Sequence, residues 1–127
     1  KGIENFTMLI AENNLLYELR WDGHEAHFKQ LNENEAHILC SVTLYTPEVI
    51  EMRKKWFAGW LQQNNDYSVE RILKFHLFAG EGDDYTNVRM SRAGIVQTVS
   101  ITSVQAQKMY YTDLKEQGEA NFGIYTF

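Results

Sequence analysis

Phe6-Thr7-Met8-Leu9-Ile10-Ala11-Glu12-Asn13-Asn14-Leu15-Leu16-Tyr17-Glu18-Leu19-Arg20-Trp21 is the stretch whose reading decides the fold class. Phe6 to Ala11 carries apolar side chains on both parities, the pattern of a strand covered on both faces. Asn13-Asn14 offers a tight turn, because asparagine tolerates positive φ. Leu15, Tyr17, Leu19 and Trp21 then share one parity, with Glu18 and Arg20 on the other. That alternation predicts a half-buried strand, and residues 6–21 therefore read as a hairpin. Asp22-Gly23 is the next turn signal, and a more polar strand from His24 to Gln30 completes a meander.

Working outward, His37 to Tyr45 is strand-like, with Ile38, Leu39, Val42 and Leu44. Thr46-Pro47 opens a helix over residues 47 to about 63, with Pro47 at a position that loses no hydrogen bond. Val49, Met52, Trp56 and Trp60 form a stripe at helical spacing, and both indoles are expected to face a sheet. Ser68 is positioned to cap a second helix over Val69 to Phe78, ended by the Gly80–Asp84 loop. Beyond it a strand is expected with Ile95, Val99 and Ile101 facing one way and Thr98, Ser100 and Thr102 the other. Further strands are expected around Met109–Thr112 and Phe122–Phe127. Strands, two helices, then strands predict an α+β fold with a largely antiparallel sheet. Residues 1–127 read as a single α+β domain or as the C-terminal portion of a larger one.

Twelve Lys and Arg against 17 Asp and Glu leave a net charge of −5, which suits neither a phosphate backbone nor any other nucleic-acid partner. The compact basic run Arg53-Lys54-Lys55 falls inside the first helix and reads as a solvated face. A single cysteine, Cys40, excludes an internal disulfide and is compatible with a reducing, cytoplasmic location. No window approaches the ~20 apolar residues of a membrane span. Because the chain opens on Lys1 rather than Met, a processed or excised chain is expected, with further residues upstream.

No catalytic motif stands complete. His24-Glu25-Ala26-His27 is one residue short of the zinc-helix motif, and in a strand its histidines point to opposite faces, so no metal site is expected. His37 and His76 have no fixed local partner and read as structural. Cys40 lies among apolar neighbours and reads as a small buried hydrophobe. Gly80 and Gly82 lack the strand and third glycine of a dinucleotide fingerprint. Asp83-Asp84 reads as solvated. Arg89, Arg92 and Ser100 are the candidate ligand-binding residues, since arginine forks suit carboxylate or phosphate. No cofactor and no catalytic residue is assigned.

Three patches resemble the C-terminal half of the transport and Golgi organisation protein 2 family, the Asn-Arg-Asp-Glu motif proteins. They are Asn5–Ala11 with Arg20-Trp21-Asp22-Gly23; His37–Arg53 with Leu44-Tyr45-Thr46-Pro47 and the following Phe57; and Gln97–Thr102 with Tyr110-Tyr111. The resemblance implies an N-terminal-nucleophile hydrolase-like αββα sandwich, of which this chain supplies one side. A missing N-terminal segment or partner chain would complete it. It also implies an upstream cysteine nucleophile, an oxyanion asparagine where Val42 and Thr43 stand here, and an arginine that Arg89 or Arg92 would supply. Without the asparagine, the oxyanion position loses an amide donor. Two functions follow as expectations. One is a binding or trafficking-related module for a small apolar anion, without complete catalytic machinery. The other is part of a cysteine amidohydrolase whose nucleophile lies upstream.

Overall fold

The computed structural model describes residues 2–41, 44–93, 95–115 and 122–126. The chain divides into two compact units, residues 1–54 and 55–127, with the boundary inside a helix. Mixed α+β class holds, and every strand pairing is antiparallel. No helix among the described residues is long and apolar enough to cross a membrane.

In the first unit β1 (Phe6–Glu12), β2 (Leu15–Trp21) and β3 (Ala26–Leu31) form the expected meander. Glu12 pairs with Leu15, so Asn13 and Asn14 alone make the turn, with φ of 50° and 61°. Both central residues being left-handed is the signature of the hairpin turn that matches strand twist. At the next turn one Asp22 carboxylate oxygen accepts the backbone N–H groups of His24 and Glu25, and the other lies 2.7 Å from His27 Nε2. The His27 bond, then the two backbone donors, hold the Asp22 carboxyl well below the usual carboxylate range. Register puts Phe6, Met8, Tyr17, Leu19, Trp21 and Phe28 on one face, interrupted by polar residues only at Glu12 and Gln30. The Tyr17 and Phe28 rings stack there at 4.9 Å, yet Phe28 stays 62% exposed and Met8 46%. This apolar face is open.

Two expectations fail in this unit. Residues 37–41 form no strand, because an apolar run becomes a strand only beside a partner, and none pairs with it among the described residues. Cys40 is accordingly half-buried in irregular chain rather than sealed in a sheet. Val42 and Thr43, where an oxyanion donor was sought, lie outside the described residues. His37 Nε2 donates to the Asn32 carbonyl at 2.7 Å.

Helix α1 (Pro47–Gln63) has the expected bounds. The Thr46 carbonyl accepts the Ile50 N–H, while the Thr46 hydroxyl turns to the Glu48 carboxylate and lowers its pKa. At the far end Asn64 donates its amide to the Trp60 carbonyl at 2.8 Å, satisfying an orphan acceptor. Arg53 is not part of a solvated face. It is 5% exposed, with its guanidinium 3.8 Å over the Tyr45 ring, where cation–π attraction and stacking favour arginine burial. Lys54 and Lys55 are exposed as expected.

In the second unit the ring and hydrogen-bond partners of the tryptophans among the described residues belong to helices and loops, not to the expected sheet. Trp60 packs against Phe57, Tyr67 and Phe75, and the Trp56 indole N–H donates to Glu81. Phe75 belongs to α2 (Val69–Phe78) and is 6% exposed, the centre of this aromatic cluster. Ser68 begins α2 through its carbonyl, but its hydroxyl donates to Asp66 instead of capping the helix. Short strands β4 (Ser91–Arg92) and β5 (Val96–Gln97) make a small hairpin; β6 (Ser100–Gln105), β7 (Lys108–Asp113) and β8 (Phe122–Thr126) make a second meander. The single strand expected after Arg92 is therefore split. Thr98 exchanges hydrogen bonds with Met90 through its N–H and its hydroxyl, which turns the chain between β5 and β6. Ile95, expected on the core parity with Ile101, is 87% exposed while Ile101 is buried.

Candidate functional site

Helix α2 positions two clefts in the second unit. The first has a volume of about 520 Å³ and lies between α2 and β6. Val69, Ile72 and His76, spaced along one side of the helix, make one wall. All six residues of β6 contribute to the other. Side chains alternate faces along a strand, so a cleft over one face meets every second residue. Contact with all six means that this cleft runs along the strand's edge. Among the described residues β6 is an edge strand, bonded to β7 on one side only. Among the described residues no Asp, Glu, Lys or Arg lines this cleft. His76 is half-buried, and its Nδ1–H donates to the Ile72 carbonyl at 2.9 Å, which leaves Nε2 of the neutral ring as an acceptor.

The second cleft, about 440 Å³, is lined by Leu77, Phe78, Met90 and Leu114, by the cations of Arg89 and Lys115, and by Asp84. Neither Arg89 nor Lys115 makes an ion pair among the described residues. The loop that shapes it is tightly tied. Asp83 accepts the Tyr85 N–H and the Thr86 hydroxyl, and the Asn87 side-chain oxygen accepts the Glu81 N–H. Gly80 has φ +150°, and a Cβ there would collide with that same Asn87 oxygen.

The residues singled out from the sequence do not converge. Arg89 lines the second cleft and Ser100 the first, while half-buried Arg92 lines neither. One lining residue was not singled out: Lys115 sits in a polar stretch with no distinguishing pattern. His76, read as structural, has its Nδ1–H held by the Ile72 carbonyl and also lines the first cleft. Among the described residues no group of His, Cys, Asp and Glu is placed to hold a metal ion. No family model, curated protein or solved structure matches the chain.

Proposed function

We propose that this chain is a small-molecule binding or trafficking-related module whose ligand is an apolar anion held in the second cleft. One observation carries the reading. Two cations without ion-pair partners among the described residues, Arg89 and Lys115, share a cleft of ligand size with Leu77, Phe78, Met90 and Leu114. A carboxylate or phosphate head would meet the arginine fork while an aliphatic body covers Phe78, now 76% exposed. The finer fold assignment, one side of an αββα sandwich of the transport and Golgi organisation protein 2 type, belongs to the same proposal. The open apolar face of β1–β3 supports it, because such a face calls for a second layer from a further segment or a partner chain.

Calorimetric titration of the whole chain with octanoate tests the ligand reading. Saturable binding is expected, weakened about tenfold in Arg89→Met and in Lys115→Met, with 1-octanol binding far less well. Unchanged affinity in both variants would remove the proposal. So would turnover of acyl amides by residues 1–127 that is abolished in Cys40→Ala, whereas turnover that appears only when an upstream segment is added would bring the amidohydrolase reading forward.

A further inference from the structure

We propose that the first cleft is a docking groove for an extended, uncharged peptide segment, which adds to the second meander as a strand beside β6. The argument begins with backbone chemistry. In an antiparallel ladder half of an edge strand's N–H and C=O groups point away from the sheet and remain available. β6 bonds to β7, and none of its outward groups has a backbone partner among the described residues. The cleft lies along that open edge, since both parities of β6 line it. An added strand would continue the order β8-β7-β6 by one place and satisfy the row of groups at once.

Side-chain chemistry then selects the peptide. A docked strand presents every second side chain to each side. Those on the helix side would meet Val69, Ile72 and His76, an apolar wall with one acceptor nitrogen. Those on the other side would meet the hydroxyls of Ser100 and Thr102, which share one parity of β6. With no ionised side chain among the described residues of the lining, a peptide carboxylate or ammonium would be desolvated without a counter-charge, so charged residues are rejected from the centre of the segment. The volume, about 520 Å³, suits a few residues rather than a folded partner. The cognate segment is therefore short, with β-branched or other apolar residues alternating with Thr or Ser.

The test uses the whole chain and a blocked peptide, acetyl-Thr-Val-Thr-Val-Thr-amide, with two relatives N-methylated at alternate sets of residues. N-methylation removes donors from one edge of the peptide and leaves the other intact. Hydrogen exchange and amide chemical shifts are read on β6. The unmodified peptide is expected to slow exchange at the outward amides of Ser100–Gln105, and one methylated relative to lose at least tenfold in affinity while the other keeps it. Val69→Glu should weaken binding by a similar factor, and the first helical turn tolerates a carboxylate, so the fold is retained. Equal binding of both methylated peptides, or shifts confined to the second cleft, would overturn the proposal. So would 1-decanol matching the peptide in affinity and in β6 protection, which would make the groove a site for small neutral amphiphiles. Octanoate binding is measured in the same samples, so failure here and failure of the anion site are read separately.

Discussion

The two clefts flanking α2 share a helix and Thr98, yet one is bordered by Arg89, Lys115 and Asp84 and the other by no ionised group among the described residues. Sequence position explains the difference. The first is built from the apolar stripe of α2 and the Ser/Thr-rich strand β6. The second is built from the end of the helix, the acidic loop and the residues around β4, where charged side chains are concentrated. One helix can thus present a neutral groove and a charged pocket when its two ends meet chain of different composition. Electrostatic recognition is assigned to the second and backbone pairing to the first.

The comparison breaks most completely at the residue both clefts depend on. Phe75 anchors α2 to Phe57 and Trp60, with ring centroids 5.6 and 5.4 Å away. Replacing a buried phenylalanine by alanine costs about 3–5 kcal/mol, and Phe75→Ala should lose that much in urea unfolding. Octanoate and peptide binding should vanish together, because each cleft uses a part of the helix. Loss of one alone would show that α2 is held by something other than this cluster.

A smaller change should separate the clefts. Gly80→Ala places a methyl group on the Asn87 oxygen and asks a non-glycine residue to adopt φ +150°. Strain of this kind costs roughly 1–3 kcal/mol. The displaced Asn87 lines only the second cleft, so octanoate binding should fall several-fold with peptide binding at β6 unchanged. Parallel titrations of the two probes check this.

How much of this was legible depended on whether the signal was local. Asn13-Asn14, Asp22-Gly23 and Thr46-Pro47 each fix a turn or helix start within a few residues, and the elements they delimit stand where the chain pattern puts them. The run His37–Ser41 has strand composition, but pairing is a property of a neighbour, and no strand pairs with it among the described residues. Ile95 and Ile101 share a parity, but Thr98 diverts the backbone between them, so the parity has no common face. The candidate site was legible to the extent that Arg89 stands in a cleft. That Arg89 and Ser100 open onto different clefts depends on how α2 meets β6 and the loop, which no short-range pattern carries.

Salt should sharpen the contrast further. Raising ionic strength from about 0.05 to about 0.5 M shortens the screening length several-fold. Octanoate affinity should drop roughly threefold, since Arg89 and Lys115 reach solvent, while peptide affinity should change by less than the error of the titration. Matching salt slopes for the two probes would mean that both ligands enter the same cleft.

The smallest effect belongs to the face of α2 that touches neither cleft. Lys74 Nζ lies 2.7 Å from Glu70 Oε1, one turn along the helix, and both side chains are exposed. The hydrogen bond from Lys74, followed by its charge, lowers the Glu70 pKa from the ordinary glutamate value. A carboxyl whose folded pKa is depressed contributes stability that is fully present above its unfolded pKa. That contribution is lost as pH falls through the lower, folded value. Lys74→Met should therefore return the Glu70 carboxyl resonance to an ordinary titration, followed by NMR between roughly pH 6 and pH 2. It should also remove this part of the acid sensitivity of unfolding. Because the pair is solvated, the change in stability at neutral pH should be barely measurable, and both probes should bind as before. A change in either affinity would mean that α2 passes strain from its solvent face to its clefts, and the two sites could then no longer be treated as independent.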